Sequence, residues 1–386
     1  MKFFFSLKHS LVMATTISLL VRPVVAFSPH SIVTRRFSGW VGSSSLNSKT
    51  IQYSSTSSDE DGKITAVDEN DALSEYRNKG NLRDQVFSAI SKDGGVKVTA
   101  ATIRNAVNDM MIQHEMNAVS ADVLGRTVTC GLLMSNGIQA EQTVQITLNT
   151  DGPIRGVVAI ATGKGELKGY VGAPALGDMH IKEAIGKGYV QIVKNHPDWP
   201  NPYNGITQVQ HGDVDRDIGI YLAESEQRTC ALAAATSVNG ILCTAAGGYL
   251  IEQLPGVESE TMDIVASNLA KLVEMDGGDT LPTGLLHKGV TPLEIAEIIL
   301  DGLDMQPLQQ IEPGLTCECS EDKLVRALQL LSKEDVDDIL EKEEQIEARC
   351  QFCGKVYRMG PDEVAKRFEA SRGDPSKDSE YKPSGN

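Results

Sequence analysis

Four cysteines near the carboxy-terminal end stand in two close pairs, Cys317-Glu-Cys319 and Cys350-Gln-Phe-Cys353, with thirty residues between the pairs. Pairs at these spacings can supply four sulfur ligands to a tetrahedral Zn²⁺, because each pair delivers two thiolates at little loop-closure cost. Two other readings stay open beside it. A static disulfide framework suits an oxidising compartment, and four inert buried thiols would have to be packed among the Lys, Arg and Glu residues that crowd both pairs. One zinc ion in the reduced state accounts best for the number and spacing of the ligands. Four thiolates on zinc carry a net charge of about −2, and Arg349, Lys355 and Arg358 lie close in sequence to offset it. Ligation keeps the sulfurs deprotonated and so nucleophilic toward peroxide or hypochlorous acid. A sulfenic acid on one cysteine has a resolving cysteine within its own pair, which makes Cys317–Cys319 and Cys350–Cys353 the short-range disulfides, the first a tight ring. Either removes metal ligands, and structural zinc supplies about 10–16 kcal/mol of folding free energy in small modules. Catalysis is not expected: four thiolates leave no open coordination position, and no His-Glu-x-x-His or Gly-x-Ser-x-Gly motif is present.

Elements must bring the two pairs together. Ser320 is placed to cap a helix over 321–331, and Ser332-Lys-Glu-Asp335 has the pattern of a cap for a second over 336–348, so a helical hairpin is expected between the pairs. Upstream, Met262, Val265, Leu269 and Leu272 share one helical face that ends near Asp276-Gly-Gly278. A further helix opens at Thr291-Pro-Leu-Glu294, where Thr291 caps, Pro292 suits the first position and Glu294 closes a capping box; Ile295, Ile298, Ile299 and Leu303 form its apolar stripe. Such stripes dock on a core or are exposed on demand, and periodicity does not choose between the two.

The core itself reads as α+β. The spacing of Ile103, Val107, Met110, Met111 and His114 predicts a helix over 98–119, followed by a buried small-residue helix around Cys130. His114 has no partner at metal-ligand spacing and is expected to be an ordinary histidine. Val144, Ile146 and Leu148 alternate, Asn149-Thr-Asp-Gly152 offers a turn, and strands over 154–161 and 167–171 follow around Gly163-Lys-Gly165. That glycine turn lacks the spacing of a phosphate loop. A strand beyond Tyr203-Asn-Gly205, a helix over 218–227 and a hairpin of 229–238 with 241–254 complete an antiparallel-sheet domain with helices. Cys130, Cys230 and Cys243 sit among small and apolar residues, as buried inert thiols do.

Charge divides the 386 residues. Positions 1–58 hold six cations and no acid, which leaves 30 cations against 52 anions from Asp59 onward, a net −22. So acidic a chain is a poor candidate for neutralising nucleic-acid phosphates. Leu11 to Ala26 reads as a signal-peptide core, and the acid-free, Ser- and Thr-rich stretch behind it as a transit peptide. This combination resembles the bipartite leader of algae whose plastids are reached through the secretory route. The compartment expected is therefore the plastid stroma, rather than the mitochondrion or the secretory system. No later segment is long and apolar enough to span a bilayer. The divisions expected are a presequence 1–58, a polar linker 59–74, the α+β core 75–258, a helical linker 259–312, a small four-cysteine zinc domain 313–368 and a disordered tail 369–386.

Cys-x-Cys, thirty residues and Cys-x-x-Cys resemble the carboxy-terminal switch of the heat shock protein 33 family, the redox-regulated holdases also called 33-kDa chaperonins. The likeness extends through Gly169-Tyr170, Ser225-Glu-Gln227, Ala246-Gly-Gly248 with Leu254-Pro255, and Cys317-Glu-Cys319-Ser320, over roughly 75–368. It departs at Arg228-Thr-Cys230, where family members often carry a proline-containing tripeptide. The resemblance implies that oxidation releases zinc from Cys317, Cys319, Cys350 and Cys353, unfolds the linker and exposes apolar surface that holds unfolding clients without ATP. It also implies a homodimer when active. A constitutive zinc-ribbon adaptor, its metal purely structural, is the alternative.

Overall fold

The computed structural model describes residues 3–4, 83–278, 281–328, 336, 339–341, 345–364 and 366. The expected leader, apart from Phe3–Phe4, the polar linker and the tail lie outside the described residues.

Two sheets, antiparallel but for one short edge strand, enclose one helix. Strands β2 (Gln85–Ile90), β3 (Val96–Thr102), β9 (Cys230–Asn239), β10 (Leu242–Gln253) and β11 (Gln306–Ile311) form a five-stranded sheet in the order β11-β2-β3-β10-β9. Strands β4 (Thr143–Thr150), β5 (Val157–Thr162), β6 (Glu166–Val171), β7 (Gly188–Asn195), β8 (Tyr203–Gln208) and β12 (Gly314–Leu315) form a second in the order β12-β6-β5-β4-β7-β8. Helix α1 (Arg104–His114) leads into α2 (Ala118–Ser135), and α2 is buried on nearly every side. Its small residues make that possible: a Cβ on Gly125 would meet Thr236 Oγ1 at 2.5 Å, and one on Gly169 of β6 would meet Leu124 Cδ1 at 3.0 Å. The main core gathers Leu124, Val128, Leu132 and Leu133 of α2 with Val144, Ile146 and Leu148 of β4 and Val190 and Ile192 of β7. Short α3 (Ile181–Ile185) and α4 (Val214–Glu224) close its flanks.

The helix expected from position 98 begins only at Arg104; Val96–Thr102 is strand. Both faces of that strand are buried, with Val98 and Ala100 in one cluster and Ala101 in another, so it carries no alternation for a sequence to display.

The stretch expected as a linker covers the other face of the five-stranded sheet. Helix α5 (Ser259–Met275), short α6 (Thr283–His287) and α7 (Pro292–Ile299) bring Val265, Leu272, Leu285, Ile295 and Ile299 against Phe87, Val98, Tyr249 and Ile251. The Thr291 and Glu294 capping box is complete. The stretch is not wholly helical, because β11 pairs with β2 as an edge strand of the core sheet. Three residues beyond β11, β12 pairs in parallel with β6.

The last sheet is small: β13 (Ile346–Cys350) and β14 (Val356–Met359) form a hairpin, flanked by β1 (Phe3–Phe4). With helix α8 (Glu321–Leu328) it encloses a cluster of Leu324, Leu328, Val336, Ile346, Ala348, Tyr357 and Met359. The expected second helix therefore does not reach Ala348. Residues 346–350 alternate buried and exposed, and the period of two overrides the helical register behind Ser332. Among the described residues no helix is long and apolar enough to cross a membrane.

Candidate metal centre

Each cysteine pair is delivered by backbone pairing. After β12 the Thr316 N–H donates to Leu167 O at 2.9 Å, which fixes the chain one residue before Cys317. Behind Cys319, Ser320 Oγ accepts the Lys323 N–H at 3.3 Å and starts α8, as its type and position suggest. The second pair occupies the tip of the β13–β14 hairpin. There the Gly354 N–H donates to Cys350 O at 2.9 Å, and the turn closes with Gly354 at φ +71°, a conformation glycine adopts freely.

The four Sγ atoms all lie within 4.8 Å of one another, with Cys317 to Cys350 at 3.7 Å and Cys319 to Cys353 at 3.4 Å. Sulfurs about 2.3 Å from a tetrahedral zinc stand about 3.8 Å apart. The donor set, four sulfurs drawn from two segments, fits such an ion in chemistry and in number, with separations that bracket the tetrahedral value. None of the seven cysteines is bridged.

Sequence reasoning missed one group. Tyr357, on β14, donates its hydroxyl to Cys319 Sγ at 3.0 Å. Burial pulls the Cys319 thiol up, but hydrogen bonds from Tyr357 and the other thiols outweigh it and hold Cys319 below the usual thiol range. Burial moves Cys317 and Cys353 the other way. The nearby cations divide their attention: Lys355 Nζ lies 4.9 Å from the centroid of the Tyr357 ring, Arg358 pairs with Glu347 at 2.8 Å, and Arg349 reaches Gln113 O at 3.5 Å. An aromatic residue in an alternating strand reads as core, and Tyr357 does bury its ring there; only the fold brings its hydroxyl to sulfur.

His114 is a satisfied histidine, its Nε2 3.1 Å from Phe352 O. Cys130 and Cys243 are buried, and burial raises both thiols, Cys243 to about 12. Cys230 departs from the expectation of full burial. It is half-buried, and desolvation with the nearby Glu252 carboxylate pushes its thiol up to about 11. Gly163-Lys-Gly165 is a hairpin turn, with the Gly165 N–H on Thr162 O at 2.9 Å.

The family model for the Hsp33 protein matches residues 84–360. The chain belongs to the Hsp33 family. A 33 kDa chaperonin of Clostridioides difficile strain 630 is 32% identical over 295 residues, which cover 73% of this chain and 98% of that protein. One from Desulforamulus reducens is 29% identical, covering 75% and 99%. In fold, this Hsp33 chain is similar to the crystal structure of the 33 kDa chaperonin of Thermotoga maritima, with a TM-score of 0.67 at 22% identity over 76% of this chain and all of that one. The mixed α+β architecture with its four clustered cysteines is thus the fold of the family, and the named relatives are chaperonins rather than enzymes.

Proposed function

We propose that this chain is a redox-regulated, ATP-independent holdase chaperone whose latch is the four-cysteine centre. The observation that carries the reading is the convergence of Cys317, Cys319, Cys350 and Cys353 within 4.8 Å. In the reduced state the four thiolates hold one zinc ion, which supplies the order that so small a cluster of apolar side chains lacks. One peroxide takes two electrons from a thiolate pair; an S–S bond forms, and with two protons the peroxide oxygens leave as two waters. Two such events give Cys317–Cys319 and Cys350–Cys353 and leave no ligand. The connection to the rest of the molecule supports the switch. Thr316 alone separates β12 from Cys317, and β12 and β11 are the last anchors of the layer formed by α5, α6 and α7. If that layer lifts, Val265, Leu272, Ile295 and Ile299 part from Phe87, Val98 and Tyr249. Each large apolar side chain so exposed forfeits about 1.5–3 kcal/mol, and that surface is what an unfolding client covers.

The homodimer in the oxidised state follows from family resemblance, and the bipartite leader supports delivery to the plastid. A fluorescent fusion of residues 1–74 retained in the secretory system would contradict that delivery. For the switch, reduced zinc-loaded protein is treated with peroxide under mild heat, and zinc release, thiol loss and suppression of client aggregation are followed together. Release of one zinc per chain with a parallel gain in anti-aggregation activity is expected. Zinc that stays bound, or leaves with no such gain, favours the structural-zinc adaptor instead.

A further inference from the structure

Phe352 lies between two of the four cysteines, yet its ring belongs to a different contact. It meets the Tyr170 ring of β6 edge-on, with centroids 5.2 Å apart and planes at 76°, and Lys168 Nζ lies 5.6 Å from its centroid. Its carbonyl faces His114 Nε2 at 3.1 Å, and the same imidazole also bonds the backbone of Gly169 on β6. Beside it, Arg349 reaches Gln113 O of α1, and a Cβ on Gly354 would stand 3.1 Å from that same oxygen. The cysteine turn is therefore seated on β6 and α1 by ring, carbonyl and closely packed backbone together. Under the seat runs a cleft of about 380 Å³, with Thr147, Val158, Ile160 and Tyr170 of the six-stranded sheet on one side and Cys317 and Phe352 on the other.

We propose that Phe352 is a docking plug, a positioning residue through which the state of the Cys350–Cys353 turn is read by the core sheet and through which the core in turn steadies the thiols. A four-residue turn cannot change shape at both ends and leave Phe352, inside it, unmoved. The turn that presents two sulfurs to one point is also the turn that aims the phenyl ring at Tyr170. Drawing the two sulfurs into a disulfide, or freeing them, redirects that ring. The coupling is reciprocal: if the four-sulfur arrangement favours docking, docking favours the four-sulfur arrangement by the same factor. Core contacts that touch no cysteine thus set how readily the thiols are oxidised. Release of the plug also opens the cleft, and uncovers Val158, Ile160 and Tyr170 on a sheet face distinct from the one beneath α5 and α7.

This inference rests on the reading of the cysteines as a zinc switch, and Tyr170 separates the two because it lies on the core. Full-length chains carrying Phe352→Ala, Tyr170→Ala and both are reduced, loaded with zinc and compared with the parent. Two measurements are made: amide exchange over 166–171 before any oxidant, and the rate of zinc release under peroxide, followed with a chromogenic chelator. Edge-on aromatic pairs are strong enough for each single variant to raise the release rate about threefold to tenfold and speed exchange in β6. The double variant is expected to match the faster single one, since each removes the same contact. Release rates within twofold of the parent in both single variants, or effects that multiply in the double, would overturn the plug while leaving the switch intact. A parent that binds no zinc would instead overturn the switch; exchange in β6 still reports docking in that case, and unchanged exchange in both variants would then overturn the plug as well.

Discussion

At the scale of single residues, chemistry at the four-cysteine site is set by neighbours of the sulfurs as much as by the sulfurs. Tyr357 donates to Cys319 at 3.0 Å while its ring is clamped in the small carboxy-terminal core. Groups that orient metal ligands through hydrogen bonds are worth about 10- to 100-fold in metal affinity. Tyr357→Phe keeps the ring and removes the donor, so zinc affinity should fall by that order in a chelator competition; an unchanged constant would mean the hydroxyl is a bystander. The three remaining cysteines should behave differently. At neutral pH the Cys230 thiol, pushed up to about 11, holds about 100-fold less thiolate than an unshifted cysteine. Alkylation of native protein, followed by mass spectrometry, should therefore modify Cys230 slowly, and Cys130 and Cys243 only on unfolding. Replacing all three with Ala should leave one zinc equivalent bound. The convergence of the cysteine pairs was legible because a four-sulfur cluster needs one residue type at a close spacing; the Tyr357 hydroxyl was not, since a hydrogen bond across a hairpin leaves no mark in spacing.

At the scale of elements, α7 is held at both ends by polar bonds that have different visibility. Its N-terminus carries the Thr291 and Glu294 box, a local pattern that can be read from four consecutive residues. Its C-terminus is held from α5, where buried Asn268 donates to Ile299 O at 3.2 Å and Asp301 O at 2.8 Å, a long-range pairing that no local pattern reveals. Thr291→Ala should cost about 1 kcal/mol, within the 0.5–2 kcal/mol usual for a lost cap. Asn268→Ala, which leaves two carbonyls unsatisfied, should cost about 1–3 kcal/mol. Both losses should appear in denaturant midpoints and as faster amide exchange across 292–299, and a loss confined to other segments would argue against the clasp. The strands show the same division. β4 and β6 have one face in the core and announce themselves by alternation. β3 is buried on both faces, and β11, with Pro307 and exposed side chains, is an edge strand whose identity comes only from its partner. At β13 the signal is present in the sequence, with Ile346, Ala348 and Cys350 all inward, but it competes with the helix-cap pattern at Ser332.

At the scale of the whole molecule, protons and a metal held by the four cysteines would act on separate parts. Chelating zinc under reducing conditions should unfold the cluster around Leu324, Ile346 and Tyr357, whose apolar content is small, and leave the two sheets folded. Exchange protection lost over 346–359 and kept over 143–162 is the expected pattern; cooperative loss of both would deny the division. Protons act on the core. Burial pushes the Asp84 carboxyl up to about 6 and that of Asp122, which shares its surroundings with Arg126, Asp213 and Asp215, up to about 7. These carboxyls bind protons more tightly folded than unfolded, so the stability they contribute is complete below about pH 4 and is lost as pH rises through 6 and 7. The thermal midpoint should decline between about pH 4 and 7, and Asp122→Asn should flatten the upper part of that decline; an identical slope in the variant would remove Asp122 as its source. The pairing of β11 with β2 also has a consequence for biosynthesis. Ile90 leaves the ribosome about 215 residues before its partner Gln306, so at 5–20 residues per second the outer edge of β2 stays open for about 10–40 s. A chain whose relatives are named chaperonins is thus born with an unpaired edge of its own, and that edge stays open until about four-fifths of its 386 residues are made.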